Sequence, residues 1–346
     1  MGLILSLLIL SFIIHSITLV PFINLLYKFK VQRQNQKTKD AFNLPTPIFD
    51  KLNKFKAGTP VGGGLLIITI TSLLFFLSFP LLYYFWVPIT SIYPNIGSEL
   101  KILIFTFISF GLVGLFDDIR KVIIPHGGET FFGLKLHYKL ILEVILSLVV
   151  SYWLFSELKI GIINVPVVGV IDLGIFYIPF AAFVIAAFAN AYNITDGLDG
   201  LAAGALLIAL VSFWVISHSI LDTTLSMFIG IWLGGLVAFL YFNIFPARIF
   251  LGDVGALSFG ATFAVIGLLL GKVFSLVIIG GIFVAEVASS FAQLLSKKYR
   301  GKKIISAAPF HLWLQSRGWN ESTIVFRAWL VGLVFAIVGL WITFVV

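Results

Sequence analysis

The sequence contains no cysteine, and only 11% of its 346 residues are Asp, Glu, Lys or Arg. The first absence excludes disulfides and thiolate metal ligands. The second excludes an ordinary soluble domain, in which about a quarter of residues are charged. Acidic residues are scarcer than basic ones, 15 against 23. The first 27 residues hold no Lys or Arg. A cleavable secretory signal needs a basic start, so this segment reads as a first membrane span. No internal repeat is evident, which removes support for a duplicated transporter plan.

What is present is mostly apolar: 60% of residues, 36 of them Phe, with a mean hydropathy of +1.09. A water-soluble fold has no place for that much apolar side chain, and lipid is the solvent that suits it. A spanning helix needs roughly 20 apolar residues. The runs predict an all-α polytopic membrane protein, residues 1–346 forming one domain with ten spans. They fall near 3–27, 62–86, 100–116, 136–156, 174–190, 198–217, 225–243, 254–270, 273–295 and 323–345. Spans eight and nine nearly touch at Gly271, so nine or eleven are alternatives.

Orientation follows from the basic residues. Twenty of the 23 fall in alternate loops and their borders, and only Lys101, Lys159 and Lys272 lie opposite. Basic loops stay cytosolic. Both termini are therefore expected outside, with loops near 28–61, 117–135, 190–198, 244–253 and 296–322 in the cytosol. The net charge of +8 fits that asymmetry and anionic headgroups, and nucleic acid is not an expected partner. Tyr83, Tyr84 and Trp86 read as an outer interfacial belt.

The scarce polar residues gather on the same side. Asp117 and Asp118 end the third span, in GLFDDIRK. Asn190, Asn193, Asp196 and Asp199 follow one another at intervals of three. Asn243 ends the seventh span, Asp253 opens the eighth, and His311 lies in the last loop. A lone Asp at a helix end is usually a cap. Glycines 197, 200 and 204 read equally well as packing residues. Capping alone does not call for an Asp pair together with the Asn/Asp run. Five clustered carboxylates repel one another, and a hard divalent cation such as magnesium is the expected neutraliser. Without cysteine and with few histidines, zinc is disfavoured. The stretch AGTPVGGGLL, with Thr59 and Gly63, is either a tight helix start or a set of backbone N–H groups for phosphate. Glu99, Glu157, Asp172 and Asp222 are expected outside as solvated residues. His15, His126 and His218 show no partner in the sequence, and His137 is ambiguous.

Taken together, GTPVGGG, GLFDDIRK, GLKLHYK, NAYNITDGLDGLA, NIFPARIFLGDVGALSFG, GGIFVAEVASSFAQ and APFHLWLQSRGWNESTIVFRAW resemble the polyprenyl-phosphate N-acetylhexosamine-1-phosphate transferases. The last two point to the phospho-N-acetylmuramoyl-pentapeptide branch. The resemblance covers about residues 57–330. It implies a bacterial cytoplasmic-membrane enzyme of peptidoglycan synthesis with its site on the cytosolic face. Its substrates would be a UDP-N-acetyl sugar, UDP-MurNAc-pentapeptide first, and undecaprenyl phosphate, with UMP released and Mg2+ as cofactor. It implies Asp117 and Asp118 near the lipid phosphate, Asp253 as metal ligand and Lys139 on phosphate. Asn193 and Asp196 would face the nucleotide, and Gln293 the uracil. Asn190, Asn243 and His311 would complete the polar site, with Asp199, Thr59 and Gly63 as secondary candidates. A homodimer is a further expectation. The chain departs from the branch at Leu312 and Trp313, where relatives carry two more histidines, at Leu314 and Gln315, and in an inserted PHGGETFF. UDP-GlcNAc as donor is the alternative. The rival of another class is an ion-coupled transporter, which predicts carboxylates near mid-span. A catalytically dead scaffold is the remaining one.

Overall fold

The computed structural model describes residues 2–33, 45–123 and 133–345. The inserted PHGGETFF, with His126, lies outside the described residues. The order is α1 Gly2–Lys28, α2 Pro47–Asn53, α3 Gly63–Tyr84, α4 Ile96–Ile123, α5 Leu136–Ser156, a hairpin of β1 Ile162–Val165 and β2 Gly169–Asp172, α6 Tyr177–Thr195, α7 Leu201–Ser219, α8 Thr223–Asn243, α9 Asp253–Leu269, α10 Val273–Ile279, α11 Gly281–Arg300, α12 Phe310–Ser316 and α13 Glu321–Val345.

Among the described residues, eight helices are long and apolar enough to cross a membrane: α1, α3 to α8 and α13. They coincide with the first seven expected spans and the tenth. The expected eighth span is α9, an apolar helix of only 17 residues. It is buried on every side, as an all-round apolar helix at the centre of a bundle must be. It packs against α3, α4 and α6. The expected ninth span is not one straight helix. It breaks at Gly280 into α10 and α11, which are bent by 79°. Paired glycines at 280 and 281 are a recognised cause of such a kink. The third span also runs further than expected, so Asp117 and Asp118 lie inside α4.

Close approach explains several glycines. A Cβ at Gly64 would sit 2.3 Å from the Gly255 Cα, which lets α3 touch α9 backbone to backbone. A Cβ at Gly114 would sit 2.1 Å from the Asp253 carbonyl oxygen and drive α4 off the start of α9. Outer faces of α1, α5 and α13 expose Leu, Ile, Val and Phe, the pattern lipid-facing helices require.

Two expected solvated acids are instead buried. Asp222 caps α8, accepting the Leu225 N–H at 2.9 Å, and it also takes the Ile92 N–H. Glu99 accepts the Ser91 hydroxyl. Asp172 and Glu157 keep local surface roles, Asp172 turning the chain at Gly174 and Glu157 pairing with Lys101. His15 is not partnerless. It is buried against Gly235, and its Nδ1 lies 2.8 Å from the Ser11 carbonyl.

Candidate active site

The first turn of α9, the ends of α4 and α6 and the start of α5 meet at one end of the bundle. Asp117 and Lys121 stand one helical turn apart on α4, where side chains four apart meet. The Lys121 ammonium bridges Asp117 Oδ2 and Asp253 Oδ2, each at 2.8 Å, and lies 3.9 Å from Asp118. Lys139 on α5 reaches Asp117 at 3.4 Å and also ion-pairs with Asp253. Three carboxylates thus share two ammonium groups. Asp253 also sits at the positive N-terminal end of α9, which favours its charge. Asp118 Oδ2 accepts the Val254 N–H at 3.0 Å. Gly252 makes room for it: its φ is +80°, and a Cβ there would fall 2.6 Å from Asp118 Oδ2.

A second cluster lies across the gap. Lys56 pairs with Asp199 at 2.8 Å and with Glu321 at 2.6 Å, all three buried. Its ammonium also donates to the Gly197 carbonyl. Glu321 Oε1 takes the Asp199 N–H as well, at 2.7 Å. Asn243 braces the same turn, accepting from Gly200 N–H and donating to the Ile249 carbonyl. The Trp329 indole donates to the Gly200 carbonyl at 3.2 Å.

Between the clusters lies a cavity of about 230 Å³. Asp118, Lys121 and Asp253 line one side; Lys56, Asn193, Asp196, Asp199 and Asn243 line the other. Burial, with Asp253 facing it, pushes the Asp196 carboxyl up to about 7. Burial also lowers Arg33, which the charges of Asp196, Asp199 and Glu321 partly offset.

The structure therefore brings together Asp117, Asp118, Asp253, Lys139, Asn193, Asp196, Asp199 and Asn243. Others stand apart from the cavity lining. Asn190 donates to Glu143 and to the Ala186 carbonyl. The Gln293 amide is engaged by the backbone of Ile304 and Ile305. His311 is buried with Nδ1 3.0 Å from Glu286 Oε2 and Nε2 against Gly197. The glycine stretch does not offer its N–H groups to a phosphate. Gly62 and Gly63 donate to the Phe250 carbonyl and Gly64 to the Leu251 carbonyl, while the Thr59 carbonyl holds Arg33 N–H. It is a helix start that lets α3 approach α9.

Sequence reasoning missed Lys121, Lys56, Glu143, Glu286 and Glu321 as site residues. Two of them carried a signal, since Lys121 follows Asp117 by four and Glu143 follows Lys139 by four on helices. The other three are brought in by tertiary packing.

A polytopic helical membrane protein with a lysine–carboxylate centre at one end defines a class, and the comparisons narrow it. The glycosyl transferase family 4 model matches residues 100–271. A phospho-N-acetylmuramoyl-pentapeptide-transferase of Clostridium novyi (strain NT) is 34% identical over 331 residues, covering 95% of this chain and 93% of the relative. One from Clostridium perfringens (strain 13 / Type A) is 34% identical over 332 residues, covering 96% of each. One from Thermoanaerobacter sp. (strain X514) is 36% identical over 279 residues, covering 81% and 82%. The chain belongs to the phospho-N-acetylmuramoyl-pentapeptide transferase family.

Proposed function

We propose that this membrane enzyme transfers phospho-N-acetylmuramoyl-pentapeptide from UDP-MurNAc-pentapeptide to undecaprenyl phosphate, releasing UMP and forming lipid I for peptidoglycan synthesis. The observation that carries the reading is the pair of ammonium groups, Lys121 and Lys139, clamped on Asp253 and Asp117 beside the cavity. Phosphoryl transfer needs positioning and charge neutralisation more than covalent help. A new bond forms between a lipid phosphate oxygen and the sugar-bearing phosphorus, and the pyrophosphate bond to UMP breaks. Lys121 and Lys139 offset the charge of Asp117 and Asp253 beside the place where the pyrophosphate and the lipid phosphate would meet. A phosphate monoester is mostly dianionic at pH 7, its second pKa being near 6, so a strong base is not demanded. Asp117 then acts by fixing both lysines.

Asp118 and Asp253 fit magnesium, because that ion takes one or two carboxylates and completes its shell with water and substrate phosphates. Among the described residues no three His, Cys, Asp or Glu converge as a metal cage, and such a site does not need one. When bound, the ion would supply electrophilic stabilisation of charge on the phosphates. The basic loops support a site on the cytosolic face of the bacterial inner membrane, where their charge would draw in the anionic donor. A transporter is a poorer account, since the five site carboxylates gather at one end of the bundle and four of them, Asp117, Asp118, Asp199 and Asp253, are tied to lysines. UDP-GlcNAc as donor is a second reading, favoured by Leu312 and Trp313 beside His311. The test is UMP release from the purified protein with both substrates and magnesium. Release that needs the lipid phosphate and stops on chelation supports the reading, and release indifferent to the lipid overturns it.

A further inference from the structure

We infer that Arg33 binds the phosphate groups of the soluble nucleotide donor. The inference rests on the donor reading above and adds a residue to it. It starts from the charges that face the cavity, four carboxylates (Asp118, Asp196, Asp199, Asp253) and three cations (Arg33, Lys56, Lys121). An anionic donor cannot enter such a space unless a cation is available to it. Lys56 is held by Asp199 and Glu321. Lys121 is held by Asp117 and Asp253. Among the described residues, no carboxylate lies within ion-pair distance of Arg33. Among the described residues it is the cavity cation without a carboxylate partner, left to meet a ligand.

Its position is fixed by the backbone. Arg33 N–H donates to the Thr59 carbonyl at 2.9 Å, and its carbonyl accepts the Gly58 N–H at 2.8 Å. Gln32 and Val31 continue the pairing, against Pro60 and Val61. The guanidinium lies over the Phe250 ring, 5.6 Å from its centroid. A ring behind the guanidinium plane orients it and leaves its edge donors for an anion. A planar fork of donors suits phosphate oxygens, which it can bind two at a time. Burial lowers the Arg33 pKa from its ordinary value, and the charges of Asp196, Asp199 and Glu321 act against that shift at longer range.

The test compares uridine, UMP and UDP binding to the full-length protein in lipid nanodiscs with magnesium, using wild type, Arg33→Gln and Arg33→Lys. The wild type should bind more tightly with each added phosphate. Arg33→Gln should leave uridine affinity within about 2-fold and weaken UDP roughly 10- to 100-fold, the range for a lost charge-assisted hydrogen bond. Arg33→Lys should fall between them. The KM for the donor should rise in parallel with kcat nearly unchanged, as loss of uniform binding requires. If Arg33→Gln does not fold, Arg33→Lys carries the test through the same uridine-to-UDP difference. Equal losses for uridine and UDP, or no loss for either, would overturn the role of Arg33 alone. A wild type that binds neither UMP nor UDP would overturn the donor reading itself.

Discussion

Asp118 Oδ2 accepts the Val254 backbone N–H at 3.0 Å, so one member of an adjacent acid pair caps the helix that Asp253 begins. This bond ties the end of α4 to the start of α9 and sets where Asp253 stands. Asp118→Ala should lower stability by about 1 kcal/mol, the usual worth of a lost cap, and should reduce turnover as Asp253 shifts. Asp118→Asn keeps an acceptor and should retain most of the stability. Thermal unfolding and UMP release measured side by side check this. An Ala variant with wild-type values for both would remove the positioning role.

Asp117 and Asp253 predict different losses. Asp253 receives both lysines and faces the cavity, whereas Asp117 holds them from behind. Asp253→Asn should abolish measurable turnover. Asp117→Asn should cost about tenfold, the worth of one weakened polar contact. A general base would be worth roughly 10²–10⁴-fold. Single-turnover rates with both substrates saturating separate the cases, and a loss of a thousandfold at Asp117 would assign it as a general base.

Glu321 is the strut between α13 and the turn at 197–200. It accepts from both Lys56 and Asp199 N–H. Glu321→Ala leaves a buried N–H without its acceptor and should cost about 2–3 kcal/mol. Glu321→Gln keeps an oxygen in place and should cost less. Chemical denaturation monitored by tryptophan fluorescence can rank them, and equal stabilities for the two variants would contradict the strut.

Asp196 gives a pH dependence of defined sign. Its carboxyl is pushed up to about 7 by burial, against 3.8 for the free side chain. The folded state therefore holds a proton that the unfolded chain has released. The stability this contributes is complete below pH 3.8 and is lost as pH rises through about 7. Between pH 5 and 8 the unliganded wild type should lose more thermal stability than Asp196→Asn. Parallel curves for the two proteins would place the Asp196 carboxyl at its ordinary value.

Much of this arrangement was legible in the residues, for physical reasons. Apolar runs of spanning length marked the eight long helices, since backbone in lipid must satisfy its own hydrogen bonds. Asp117, Asp118 and Asp253 stood out because carboxylates at helix ends in a chain so poor in acids demand an explanation. The break at Gly280 was hidden, because a kink leaves hydropathy unchanged. Glu321 and Glu286 were hidden too, since their partners Lys56 and His311 lie 265 and 25 residues away in sequence. Glu99 and Asp222 misled as solvated acids, because the segment before α4 covers them only in the fold, with the Ser91 hydroxyl on Glu99 and the Ile92 N–H on Asp222. The glycine stretch at 62–64 offered both a phosphate cradle and a close helix contact, and its backbone bonds to Phe250 and Leu251 decide for the contact.

A comparison of two donors probes the reaction at the Lys121–Asp253 centre. Purified protein with undecaprenyl phosphate and magnesium is given UDP-MurNAc-pentapeptide or UDP-GlcNAc, and UMP and the lipid-linked product are measured together. The expected outcome is stoichiometric UMP and lipid I from the pentapeptide donor, with none from UDP-GlcNAc. Product from UDP-GlcNAc alone, or UMP without any lipid-linked product, would contradict it.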